Sequence, residues 1–159
     1  MRKSTMILAL LIIMTGLFLL FGSKFGIRIG NFVLAPSSDK KALEELTRAF
    51  LEDIQFKDFN KAATYHEPEE QKRVDIPYLL ERLFHIKPEF LDIQEYEIMK
   101  VQIDSSGDRG RVLTRTTVKV LNTGELRKPE IVFYWHKAGD SWFMRLESSL
   151  DRPKKRDEK

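Results

Sequence analysis

Residues 130–147 read EIVFYWHKAGDSWFMRLE. Apolar and polar residues alternate on both sides of Gly139-Asp140, which is the pattern of two antiparallel strands joined by a two-residue turn. A turn at this point sets three cross-strand pairs, namely Lys137 with Trp142, Trp135 with Met144, and Phe133 with Leu146. A slip of one residue would mix the apolar face with the polar face, so the sequence predicts this register.

The period of two continues upstream of the hairpin. Alternation over 93–104 and 112–120 predicts two further strands on either side of a turn at Ser105–Asp108. A change of phase between Ile98 and Val101 predicts a β-bulge, which bends a strand. We therefore expect a curved antiparallel sheet of about four strands, which comprise residues 93–104, 112–120, 130–137 and 141–147.

Before Pro88 the apolar residues recur at helical spacing. Ser38 and Asp39 are good N-cap residues for a first helix, which carries an apolar stripe that includes Phe50. Residues 58–65 fit a short second helix, and Asp75 begins a third, with Pro77 in its first turn. Helices followed by strands predict an α+β domain over 39–150, with about three helices packed on one side of the sheet.

Residues 4–23 contain no charged side chain and are almost wholly apolar. A helix of about 20 residues reaches roughly 30 Å, the thickness of the hydrocarbon core of a bilayer. Residues 1–23 are therefore expected to form a cytoplasmic tip and a transmembrane helix, a signal anchor held in the lipid bilayer by 4–23. A cleaved signal peptide ending near Ala35 is the alternative, although Pro36 is unfavourable after a cleavage point.

Arg2 and Lys3 favour a cytoplasmic N-terminus. The sequence thus predicts a single-pass protein of the inner membrane whose domain lies on the extracytoplasmic, periplasmic side. Residues 24–38 are expected to be a juxtamembrane linker, and 151–159 a charged disordered tail.

The charge distribution argues against a nucleic-acid partner. The chain has a net charge of +3, but the residues outside 37–150 sum to +6, which leaves −3 for the domain. A domain with an acidic excess is a poor surface for phosphate backbones. Cysteine is absent, which excludes disulfides, thiolate metal sites and a cysteine nucleophile.

Three short segments resemble the nuclear transport factor two-like, or cystatin-like, cone superfamily. They are Ala49-Phe50-Leu51, the junction FKDFNKAA at 56–63 and the stretch KAGDSWFM at 137–144. The resemblance covers about 39–150 and implies a cone-shaped α+β domain. That superfamily includes enzymes and noncatalytic members, so the fold does not assign a function. The layout of an anchor followed by such a domain is also similar to the inner-membrane assembly proteins of type IV secretion systems.

The histidines do not form a metal spacing, and we predict no catalytic residue, no metal and no cofactor. His136 falls on the polar face of the hairpin, where a solvated residue is expected. His66, between Tyr65 and Glu67, could act as a general base near a cavity, although a structural role is the simpler interpretation. The residues that we place at a candidate ligand pocket are Tyr65, His66, Tyr78, Phe84, Trp135 and Trp142.

Two functions are compatible with these features. The first is a membrane-anchored scaffold or accessory subunit whose domain binds protein partners or a second copy of itself, with Tyr134 and Phe143 on an exposed sheet face. The alternative is a small-molecule-binding or enzymatic cone that acts at the membrane surface. The first function is favoured because every feature that it requires is visible in the sequence.

Overall fold

The structure is a computed structural model that describes residues 27–29, 32–34 and 37–150. Within these residues the chain forms three α-helices, which we label α1 (Ser37–Gln55), α2 (Phe59–Ala63) and α3 (Ile76–Phe84). A short 3-10 helix follows at Glu147–Leu150. The predicted tail at 151–159 lies outside the described residues.

Local sequence signals set the helix boundaries. The Asp58 carboxylate accepts a hydrogen bond from the Lys61 backbone N–H at 3.0 Å and caps α2. Asp75 caps α3 by accepting from the Tyr78 N–H at 3.0 Å, as the sequence predicted. Each cap satisfies a backbone donor that the first turn of a helix leaves without a partner.

The strands form two separate antiparallel sheets. β1 (Ile27–Ile29) pairs with β2 (Phe32–Leu34), and both lie within the range predicted as a linker. The strands of the main sheet are β3 (Leu91–Ile103), β4 (Arg109–Val120), β5 (Leu126–Arg127), β6 (Glu130–Ala138) and β7 (Ser141–Met144). Their order is β3-β4-β6-β7, and β5 pairs with the same edge of β4 as β6 does.

The sheet therefore has five strands among the described residues, and the prediction of four was wrong. The additional strand, β5, pairs with β4 at Val118 and Lys119. Pro129 follows β5, and a proline has no N–H to donate to the ladder. Along this edge, β4 therefore pairs with two separate strands, β5 and β6, instead of with one continuous strand.

The register of the final hairpin agrees with the prediction. Trp135 pairs with Met144 and Lys137 pairs with Trp142 across the turn. β7 ends at Met144, however, so the third predicted pair, Phe133 with Leu146, is not part of the ladder. The predicted bulge is also present, because the β3–β4 register shifts between Ile98 and Lys100.

The core lies between the helices and one face of the main sheet, which we call the inner face. The Phe50 ring of α1 meets the Phe133 ring of β6 edge-on, with centroids 5.7 Å apart. α1 packs against β4 at Gly110, where a Cβ atom would lie 2.4 Å from Leu43 Cδ1. The residue at this crossing must therefore be small, since a side chain would displace Leu43.

No helix among the described residues is long and apolar enough to cross a membrane. The 19-residue α1 is long enough but carries charged residues along its exposed side. This finding corrects the predicted transmembrane helix, the signal anchor and the single-pass inner-membrane location with its periplasmic domain. Residues 4–23, from which these predictions came, lie outside the described residues.

Candidate binding groove on the outer face of the sheet

Tyr65, the first of the predicted pocket residues, belongs to a polar network that joins α2 to α1. Its hydroxyl donates a hydrogen bond to Asp53 Oδ2 at 3.0 Å, and Lys61 Nζ donates to Asp53 Oδ1 at 2.7 Å. Burial, followed by the bond to Asp53, raises the pKa of the Tyr65 phenol above its ordinary value. Tyr65 is therefore a neutral donor that satisfies a buried carboxylate, which is a structural role.

His66 lies wholly inside the core. Its exposed fraction is 0%, and neither ring nitrogen has a hydrogen-bond partner within the described residues. Burial lowers the pKa of His66 below its ordinary value of 6.5, against smaller opposing effects of Glu147 and Glu70. A general base of the predicted kind would pair its imidazole with the Glu67 carboxylate. The His66 ring makes no such hydrogen bond, and the Glu67 carboxylate is hydrogen-bonded to His136 instead.

The structure distributes the other predicted pocket residues over different surfaces. Tyr65 and Trp142 share a shallow cleft of about 560 Å³, whereas Tyr78 lines a separate cleft of about 470 Å³. Phe84 is packed in the core. Trp135 meets Tyr65 edge-on with centroids 6.4 Å apart, on the core side of the sheet. The predicted residues do not surround one cavity, and ligand binding by them stays a prediction.

A larger groove, of about 710 Å³, lies at one end of the main sheet. Most of the charged and polar side chains that line it project from the sheet face turned away from the core, which we call the outer face. They include Gln102, Arg109, Arg111, Tyr134, His136 and Arg145. We call this feature the arginine groove.

The strand register brings these side chains together in two rows. Arg111 lies opposite Gln102 on β3 and opposite Tyr134 on β6. Arg109 pairs with His136 on β6, and His136 pairs in turn with Phe143 on β7. Directly opposed residues in antiparallel strands project their side chains from the same face, about 5 Å apart.

Arg145 joins the second row through His136. Its Nε–H donates to His136 Nδ1 at 3.2 Å. Because a guanidinium can only donate, Nδ1 must be the unprotonated nitrogen, and the proton lies on Nε2. His136 Nε2–H therefore donates to the Glu67 carboxylate. The His136 ring is therefore hydrogen-bonded to the Glu67 carboxylate on one side and to the Arg145 guanidinium on the other. It is partly buried, whereas the sequence predicted a solvated residue.

The three groove arginines lack acidic partners within the described residues, where no ion pair includes Arg109, Arg111 or Arg145. The contrast with Arg115 is direct, because it projects from the same face of β4. Arg115 Nη2 lies 2.8 Å from Glu130 Oε1 on the neighbouring strand. The β6 residue opposite Arg111 is Tyr134, so the same strand pair leaves that charge uncompensated.

One carboxylate in the groove, Asp104, is engaged elsewhere. Its Oδ1 accepts hydrogen bonds from the Ser106 hydroxyl at 2.6 Å and from the Gly107 N–H at 3.2 Å, within its own turn. The groove therefore combines three cationic side chains with a half-buried aromatic floor at Tyr134. Guanidinium groups in this setting bind carboxylates and other oxyanions.

The groove was not predicted as a site from the sequence, although three residues that line it were named: Trp135 as a pocket candidate, Tyr134 on an exposed sheet face and His136 on the polar face of the hairpin. Arg109 and Arg111 alternate on a strand, and the hairpin register already set Tyr134 and His136 on one face. Glu67 could not be found in this way, because it is 69 residues from His136. Within 37–150 no group of three or more acidic or histidine side chains is placed to hold a metal ion.

No protein-family model matches the chain, and no curated protein matches it either. A solved structure that matches is that of a SEC-C motif containing protein from Rhodopseudomonas palustris, with 20% identity and a TM-score of 0.48. The match covers 62% of this chain and 71% of that chain. A likeness at this level carries no argument about function.

The comparison does not support the superfamily that was predicted from the sequence. The matching structure is described as a SEC-C motif containing protein, a description that does not name the predicted superfamily. The predicted assignment to the cystatin-like cone superfamily is not borne out, and the layout of type IV secretion assembly proteins is wrong, because no helix among the described residues could span a membrane. The segments that suggested them are part of the interior of α1, the capped start of α2 and a hairpin turn, which are local features shared by many folds.

Proposed function

We propose that this domain is a protein-interaction module that binds a partner protein on the outer face of its main sheet. The observation that carries the proposal is the arginine groove, a concave surface of about 710 Å³ whose arginines have no acidic partner among the described residues. Protein-binding surfaces are enriched in aromatic residues and arginine and depleted in lysine and acids. The groove has this composition.

Partly buried residues extend the surface beyond the groove. Val132 on β6 and Phe143 on β7 project from the outer face, as Tyr134 of the groove does, and all three remain accessible. Tyrosine is a frequent anchor of interfaces because its ring supplies apolar area while its hydroxyl finds a polar partner. These residues would form the centre of the interface, and the arginines would form one end of it.

Photocrosslinking in living cells tests this proposal. We would replace Tyr134 in the full chain by a photoreactive aromatic residue (Tyr134→p-benzoylphenylalanine) and identify captured peptides by mass spectrometry. We expect a discrete protein whose crosslinked segment, made synthetically, binds the purified full chain. The control is Glu45→p-benzoylphenylalanine, because Glu45 is exposed on α1 at the opposite side of the sheet.

Equal capture from both positions would contradict the proposal, since it would reflect abundance rather than a specific surface. Capture of a second copy of this chain through the outer face would identify self-association as the interaction. No capture at Tyr134, together with a monomeric chain in solution, would also contradict it.

A further inference from the structure

We infer that the arginine groove binds an extended acidic segment of the partner, in which carboxylate side chains occupy alternate positions. This inference rests on the proposed function and adds the chemistry of the ligand. It follows from the spacing of the arginines, from their lack of internal counter-charges and from the way in which Arg145 is held.

The spacing comes from the strand itself. Arg109 and Arg111 lie two residues apart on β4, so their side chains leave the same face about 6.7 Å apart. Glutamate or aspartate residues at alternate positions of an extended peptide have the same spacing, because every second side chain points to one side. Two carboxylates of such a segment can meet two guanidiniums without distortion of either chain.

The charge balance selects an acidic ligand even though the domain as a whole is acidic. Residues 37–150 carry a net charge of −3, yet the groove is lined by three arginines and a single carboxylate, Asp104, whose Oδ1 is turned to its own loop. Arg48 and Arg127 form ion pairs with Glu44 and Glu125, and Arg115 pairs with Glu130. Arg73 and Arg82, outside the groove, also form no ion pair within the described residues, so it is the convergence of three such arginines on one groove that favours an external acid.

The third cation is positioned by its neighbours. Arg145 uses its Nε–H to bind His136 Nδ1, and Glu67 holds His136 from the other ring nitrogen. The terminal Nη groups of Arg145 form no ion pair with a carboxylate within the described residues. They can therefore donate in parallel to one carboxylate, which is the geometry that arginine favours. His136 acts here as a positioning residue.

Peptide titration of the isotope-labelled full chain tests the inference. The probe is a capped seven-residue peptide with glutamate at every second position and alanine elsewhere. We expect saturable shifts of the Arg109, Arg111 and Arg145 side-chain N–H resonances. A peptide of the same composition with its glutamates consecutive should bind about fivefold more weakly, because fewer carboxylates face the groove.

Charge-matched variants separate the groove from general attraction. Arg111→Gln and Arg145→Gln should each weaken binding about fivefold at low ionic strength. Arg115→Gln removes the same charge from the same face of β4 and should leave the affinity unchanged. His136→Phe keeps all three arginines but removes the acceptor for Arg145, so it should also weaken binding, whereas the other two arginine resonances should still shift.

Three outcomes would overturn the inference. The first is an equal effect of Arg115→Gln and Arg111→Gln. The second is equal binding of the two peptides. The third is tighter binding of inorganic phosphate than of either peptide at the same resonances, which would identify a site for a small oxyanion. If any of these occurs while crosslinking through Tyr134 still captures a partner, the proposed function stands and only the acidic-segment inference fails.

Discussion

His66 is the residue whose environment departs most from ordinary protein chemistry. Buried polar groups in folded proteins almost always have a hydrogen-bond partner, and an unpaired one costs about 1–3 kcal/mol. The ring of His66 is fully buried, and both its nitrogens are unpartnered within the described residues. The Gln71 side chain instead donates to the His66 carbonyl at 2.9 Å, which holds the loop but not the ring.

This environment predicts the effect of pH on stability. Because burial lowers the pKa of His66 below 6.5 in the folded state, the unfolded chain binds a proton more readily. The contribution of the neutral His66 ring to the free energy of unfolding is therefore fully present above about pH 6.5, and it is lost as the pH falls below that value. We expect the urea midpoint of the parent to fall between about pH 6.5 and pH 5 more steeply than that of His66→Leu.

A histidine outside the core provides the control for this prediction. His85 is exposed and has a positive φ of 54°, which asparagine tolerates. His85→Asn should keep the pH profile of the parent. At pH 7, His66→Leu should be as stable as the parent or more stable by about 1 kcal/mol, because the unpaired polar ring is removed. Parallel pH profiles of His66→Leu and the parent would contradict the account.

At the scale of elements, the crossing of α1 over β4 depends on Gly110. A Cβ atom there would lie 2.4 Å from Leu43 Cδ1 and 3.4 Å from the Trp142 ring. Leu43 is fully buried, so its side chain can make room only if its core neighbours repack. We expect Gly110→Ala to lower the free energy of unfolding by about 1–3 kcal/mol, measured by urea denaturation.

A double-mutant cycle identifies the cause of that loss. Leu43→Val shortens the side chain that the new methyl group would strike. In the presence of Leu43→Val, the cost of Gly110→Ala should fall by about 1 kcal/mol or more. Costs that simply add would show that Leu43 is not the contact that excludes a larger residue.

The elements also show which features local sequence can predict. The Gly139-Asp140 turn set the pairing of Trp135 with Met144, because a two-residue turn leaves one register that separates apolar from polar residues. The Asp75 cap and the bulge after Ile98 were likewise visible as local patterns. The division of the ladder into β5 and β6 was missed, since a two-residue strand has too few residues to show a period.

At the scale of the whole molecule, sequence patterns were a poor guide. The superfamily prediction rested on three short segments, and short segments report local structure rather than the arrangement of a fold. The arginine groove escaped prediction because it joins residues from four parts of the chain. Its His136–Glu67 bond connects residues 69 apart, and no period or motif marks such a contact before the chain is folded.

The central claim is that the outer face of the main sheet binds a partner protein. Amide hydrogen exchange of the full chain, with and without the partner segment captured through Tyr134, tests it most directly. We expect slower exchange at the β4 and β6 residues that line the arginine groove, around Arg111 and Tyr134, and unchanged exchange in α1. Protection confined to α1 or α3, with no change at the groove, would contradict the claim.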